Sequence, residues 1–393
     1  MYRKIVGFLE AWKDSEHRKP LILQGARQVG KTYSILEFGR THYENVAYFN
    51  FETNPKLNET FAENISPDYL IPILSHIAGQ TIVKEKTLIV FDEVQLCERA
   101  LTSLKYFCED APDYHIIVAG SLLGVAVNRA KFSFPVGKVD MKTLYPMDME
   151  EFMLALGENE LVAQIKECFR TNAPLPSALH DAAMQLYRQY LVVGGMPECV
   201  MQFVETKDHI LVRHTQDTIL ASYLNDMSKY NSLNEIKKTR LAYDNITVQL
   251  SRKNTRFQYK LIKKGGRAAE FENAIEWLCL SGIVSQVYKV EQIKNPRKTT
   301  ATSIRSKFMC PTWGCCAPRK IWPPMTFSIW WRRSTTLRAA WRRTMSMCSS
   351  PSTATAPIIG SLSAAPRSIL SFSATASSSP SRSNLPTTPE QRA

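Results

Sequence analysis

Four short apolar runs punctuate the first third of the chain: Leu21-Ile22-Leu23, Val46–Phe51, Leu88–Phe91 and Ile116–Ala119. Each is nearly continuous in its apolar character, the pattern of a strand buried on both faces of a parallel sheet. Their succession predicts βαβ units. Before the first run, Ile5, Phe8, Leu9 and Trp12 recur at helical spacing and predict an amphipathic helix lying on the sheet, with Trp12 in the core. Beyond about Asp148 the pattern is helical to Tyr230. Met149, Phe152, Met153 and Leu156 share one face there, and the Gly194-Gly195-Met196-Pro197 turn interrupts the stretch. A helix near Leu233–Leu250, the stripe Phe271, Ala274, Ile275, Leu278 and a strand over Ile283–Val290 then predict a small winged-helix-like unit. The expected organisation is an α/β domain over 1–147, a helical lid over 148–231, a winged-helix-like unit over 232–292 and a tail over 293–393.

Directly after the first strand stands Gly25-Ala26-Arg27-Gln28-Val29-Gly30-Lys31-Thr32, a complete G-x-x-x-x-G-K-[ST] loop. The glycines let backbone N–H groups close around phosphates, Lys31 reaches the β and γ oxygens, and the Thr32 hydroxyl suits Mg²⁺. A helix beginning at Lys31 adds its positive end. The α/β domain is therefore expected to be a P-loop NTPase fold. The strand Leu88–Phe91 ends in Asp92-Glu93, where ligands bind in open α/β sheets. Asp92 is placed to hold Mg²⁺ and Glu93 to polarise the attacking water. Ser121 follows the last strand and is read either as a γ-phosphate sensor or as a helix cap.

These residues, with the segments IIVAGSLLG, FPVGKVDMKTLYPMDMEEF and YLVVGGMPECV, resemble the prokaryotic AAA-type ATPases that join an N-terminal ATPase domain to a C-terminal domain of unknown function. The likeness covers residues 1–292. It implies nucleotide, metal and catalytic roles for Lys31, Thr32, Asp92 and Glu93, and a sensor role for Ser121. A strand, Val46–Phe51, between the loop strand and the Asp-Glu strand in the chain is similar to the additional-strand, catalytic-glutamate group of P-loop ATPases. Lys138 follows Gly137 where relatives usually carry arginine, so it lacks the planar fork suited to bidentate phosphate contact.

The net charge of +13 is unevenly spread. Residues 1–291 hold 34 basic and 35 acidic side chains, whereas residues 292–393 hold 15 basic and one acidic. The tail also carries five of the seven tryptophans and is dense in Ser, Thr, Pro and Arg, which does not look like a domain. A shifted reading frame beginning near Pro296 accounts for it. Regrouping degenerate codons for Lys307–Cys316 permits V-Y-V-S-D-V-G-L-L, similar to what this family carries after its winged-helix unit. The alternative is a genuine basic, disordered tail. Further regrouped codons resemble a D…E-x-K nuclease-like metal site, whose carboxylates this chain lacks. Cys310, Cys315 and Cys316 have no C-x₂-C spacing and no nearby His, which speaks against zinc.

The expected cofactors are ATP and Mg²⁺, and the expected activity is ATP hydrolysis. The rival is a nucleotide-gated switch acting on DNA or a protein through residues 232–292. The stretch Arg252–Arg267 interleaves seven basic residues with Phe257 and Tyr259. That pattern fits a phosphate-backbone grip or a solvated face over two core aromatics, and the second reading is favoured. A third reading leaves the translated chain inactive, its unpartnered apolar surface prone to aggregation. No run reaches 18 apolar residues, so no membrane partner is expected and the cytoplasm is the expected compartment. An oligomer is compatible with the sequence, but no secure arginine finger demands a ring.

Overall fold

The computed structural model describes residues 1–120, 134–230, 233–250, 257–263, 265–288 and 306–309. Five parallel strands form the central sheet: β1 (Leu21–Gln24), β2 (Asn45–Asn50), β3 (Thr87–Asp92), β4 (His115–Gly120) and β5 (Asp140–Thr143), in the order β2-β3-β4-β1-β5. β3 and β4 are buried along their whole length, which is why their sequences read as unbroken apolar runs. The strand standing between β1 and β3 in space is β4. β2, which intervenes in the chain, lies at the sheet edge beyond β3. β5 was not anticipated, because an edge strand reading Asp-Met-Lys-Thr, with no fully buried position, carries no apolar run.

The period-2 alternation of the strands separates two cores. Leu21, Leu23, Leu88, Val90, Ile117 and Ala119 face α1 (Ile5–Lys13) and α2 (Lys31–His42). Ile22, Ile89, Phe91, Ile116 and Val118 face α3 (Lys56–Glu63), α4 (Pro67–Ala78) and α5 (Glu98–Asp110). Trp12 is buried in the first core, and its indole N–H donates to the Lys19 carbonyl at 2.9 Å.

The helical stretch resolves into α6 (Met149–Ala155), α7 (Asn159–Thr171), α8 (Ser177–Val193), α9 (Pro197–Thr206) and α10 (His209–Tyr230). Next come α11 (Leu233–Leu250), α12 (Ala268–Leu280) and the antiparallel pair β6 (Ser285–Tyr288) with β7 (Ser306–Met309). The stripe Phe271, Ala274, Ile275, Leu278 is buried as its spacing predicts. Within the basic stretch, Phe257 is buried edge-on to Tyr259, while Lys263 pairs with Glu270 in solvent. The described part of that stretch is thus core aromatics beneath a charged face. Val193, Met196, Phe203, Ile219, Ala242, Phe271 and Ile283 all belong to the core cluster that begins at Ile5. The helical half and the face of the sheet carrying α1 and α2 therefore bury one continuous apolar interior. Among the described residues no helix is long and apolar enough to cross a membrane.

Candidate nucleotide site

The Gly25–Thr32 loop leaves the carboxyl end of β1, flanked by β4 and β5, where an open α/β sheet offers its crevice. Gly25 has φ +154°, and a Cβ there would lie 2.2 Å from the Leu144 carbonyl oxygen, so a side chain is excluded. Gly30 adopts a left-handed φ of +87° and starts α2, with no side chain capping the first N–H groups. Lys31 is buried, and its ammonium donates to the carbonyls of Gly25 at 3.0 Å and Ala26 at 2.8 Å. Burial pushes it down to about 8, against the opposing pull of Glu93 and Asp92.

The Thr32 hydroxyl donates to Asp92 Oδ2 at 2.8 Å, so the loop and the end of β3 meet across 60 positions of chain. Asp92 is 4% exposed and accepts two further bonds: the Tyr48 hydroxyl on Oδ2 at 2.8 Å, and the Glu93 N–H on Oδ1 at 3.0 Å. Glu93 is a non-glycine residue at φ +52°, and its Oε2 accepts a hydrogen bond from Gln95 Nε2. Backbone held in this sparsely populated region is a common mark of a functional position. Ser121 lies outside the described residues. Lys138 forms an ion pair with Glu109 at 2.9 Å beside β5.

A threonine hydroxyl and a carboxylate held together suit a hard cation such as Mg²⁺, which takes oxygen ligands and keeps waters. Among the described residues no three His, Cys, Asp or Glu side chains converge as a metal cluster.

Sequence reasoning missed several residues of the site. Arg3 is 5% exposed and makes three contacts: Nη1 to the Val29 carbonyl at 2.9 Å, Nη2 to the Tyr145 carbonyl at 2.8 Å, and Nε to Glu151 Oε1 at 3.2 Å. Glu151 also closes the capping box at Asp148 that starts α6. One guanidinium thus joins the loop to the first helix of the helical stretch. From 196 positions along the chain, the Tyr223 hydroxyl on α10 donates to the Arg27 carbonyl at 2.7 Å. Gly282, with φ +74°, packs so closely that a Cβ there would lie 3.1 Å from the Ala26 nitrogen.

A family model described as an AAA domain matches residues 17–153, from just before β1 into α6. A second, a domain of unknown function (DUF8612), matches residues 184–306. The chain carries an AAA domain followed by a domain of unknown function. The first is an AAA domain by family, and its loop and sheet order are those of a P-loop NTPase fold. No curated protein matches the chain. Among solved structures it is similar to the Aeropyrum pernix ORC2 protein in its ADPNP–ADP complexes, at 12% identity and TM-score 0.43, covering 79% of this chain and 90% of that one. It is also similar to AMPPCP-bound DnaA from Aquifex aeolicus, at 11% identity and TM-score 0.30, with 70% and 76% covered. For C. elegans PCH-2 the values are 10% identity, TM-score 0.30 and 52% of this chain, which spans 63% of that protein's length.

Proposed function

We propose that the AAA domain binds ATP with Mg²⁺ and hydrolyses it. The observation that carries this reading is the convergence of Lys31, Thr32, Asp92 and Glu93 at the carboxyl ends of β1 and β3, with Thr32 bonded to Asp92. On nucleotide entry the Lys31 ammonium exchanges the carbonyls of Gly25 and Ala26 for β and γ phosphate oxygens, and the amides at the start of α2 take further oxygens. Glu93 accepts the proton of the attacking water. That water's oxygen bonds to the γ phosphorus as the bond to the β,γ-bridging oxygen breaks, giving ADP and inorganic phosphate. Thr32 and Asp92 would hold Mg²⁺, whose charge offsets that developing on the phosphates. Ser121 is assigned the sensor position from its place in the sequence directly after the last apolar run and from the resemblance.

The test is a pair of variants. Lys31→Ala is expected to lose ATP binding. Glu93→Gln is expected to bind ATP as the parent does while turnover falls at least ~100-fold, the usual worth of a positioned base. Parent-like turnover in Glu93→Gln would place the base elsewhere.

A second reading, in which ATP occupancy sets the posture of a winged-helix-like unit over 232–292 toward DNA or a protein, is favoured by a specific contact. The Gly282 turn rests on Ala26, and Tyr223 holds the Arg27 carbonyl. A loop gripped from the C-terminal half cannot rearrange around phosphates without altering those contacts. Slow turnover with nucleotide-dependent, salt-sensitive DNA binding would favour it. For the tail we propose a shifted frame from about residue 296 in a cytoplasmic protein. Sequencing the gene across the codons for 290–310 checks this, since an intact frame would make the basic tail genuine.

A further inference from the structure

We propose that Tyr48 is a positioning residue for the divalent cation, turning the Asp92 carboxylate toward it from the neighbouring strand. The inference rests on the ATPase reading above and adds to it a residue outside both motifs. β2 and β3 run parallel in a register that pairs Tyr48 with Val90 and Asn50 with Asp92. The Tyr48 side chain therefore reaches forward along the sheet, and its hydroxyl donates to Asp92 Oδ2 at 2.8 Å. Its own oxygen accepts from Asn50 Nδ2 at 3.2 Å. Asn50 is fixed in turn, because its Oδ1 accepts the N–H groups of Glu52 at 2.8 Å and Thr53 at 3.0 Å. The chain of bonds from the β2 turn through Asn50 and Tyr48 to Asp92 thus has a defined direction.

An ionised carboxylate offers about four acceptor sites. Among the described residues Thr32, Tyr48 and the Glu93 N–H take three of these at Asp92, which leaves one for a metal or its water. Thr32 and Glu93 belong to the motifs themselves, so the element that adjusts the carboxylate independently of them is Tyr48. A phenol keeps its O–H proton throughout the neutral range and so stays a donor there. Groups that orient a metal-binding carboxylate in this way typically contribute 10–100-fold to metal affinity.

The experiment uses the full chain loaded with ADP and reads Mn²⁺ binding by electron paramagnetic resonance. Nucleotide affinity in EDTA is measured alongside. Tyr48→Phe removes only the hydroxyl from a ring that is 38% exposed. It is expected to weaken Mn²⁺ binding about tenfold, to leave ADP affinity in EDTA unchanged, and to add nothing in an Asp92→Asn background. Mn²⁺ affinity equal to the parent's would overturn the inference and leave the ATPase reading standing, whereas a parent that binds no nucleotide at all would sink both. Should Tyr48→Phe fail to fold, 3-fluorotyrosine at position 48 takes its place. Its fluorine resonance is expected to broaden when Mn²⁺ joins the ADP complex, and a resonance that stays sharp overturns the proposal.

Discussion

Arg3 ties the loop to the helical stretch, and its cost when removed follows from what it leaves behind. Arg3→Ala would leave the buried Glu151 carboxylate without its countercharge, holding, among the described residues, only the Lys4 and Asp148 N–H groups, and would take the guanidinium from the carbonyls of Val29 and Tyr145. Breaking a buried ion pair from one side costs about 3–5 kcal/mol. The urea midpoint is expected to fall accordingly, with Arg3→Lys recovering only part, because a single ammonium cannot serve three acceptors in fixed directions. An unchanged midpoint would mean that water replaces the guanidinium at little cost. The signals at Gly25–Thr32 and Asp92-Glu93 are legible in the sequence because phosphate binding needs those residue types at fixed local spacing. Arg3 and Tyr48 are not, since their partners lie 26 to 148 positions away and nothing local marks them.

At the level of elements, the amino end of β4 offers a test that does not involve nucleotide. His115 is buried there, its Nδ1 2.6 Å from the Tyr43 hydroxyl and its ring edge-on to Trp12. Burial first, and the nearby charges of Arg18 and Lys13 after it, push His115 down to about 4. The folded-state value lies below that of the unfolded chain, near 6.5, so the folded protein resists a proton that the unfolded chain accepts. The stability this contributes is complete above about pH 6.5 and is lost as pH falls toward 4. Between pH 7 and 5 the parent is expected to lose on the order of 1–2 kcal/mol more than His115→Gln, which keeps a hydrogen-bonding side chain beside Tyr43. Equal losses in urea titrations at the two pH values would contradict the assignment. The central strands and α1 and α12 were legible from periodicity, because burial on both faces or on one stripe leaves its mark in the sequence, and α2 from the loop motif that runs into it. β5 was not, because its pairing with β1 leaves no position fully buried.

For the whole molecule, the core that runs from Ile5 to Val284 joins the AAA domain to the helical half. If ATP occupancy is transmitted through the Gly282–Ala26 contact, amide exchange over residues 280–284 is expected to slow when ATP binds. Gly282→Ala, strained at φ +74° and crowded against Ala26, is expected to weaken both that protection and ATP affinity, since coupling between two sites is reciprocal. Exchange that ignores ATP would reduce the contact to packing.

By itself the sequence determined the elements and motifs that depend on near neighbours: the buried strands, the G-x-x-x-x-G-K-T loop, the paired acids at the end of β3, and the change of character after residue 292. Only the tertiary structure decided that β4 stands between β1 and β3, that Tyr48 and Thr32 share one carboxylate oxygen, and that Arg3, Tyr223 and Gly282 close on the loop. The physical reason is range. Hydrophobic period and phosphate geometry act within a turn or a strand and so constrain neighbouring letters. The long-range contacts form only once a shared core has brought distant segments together.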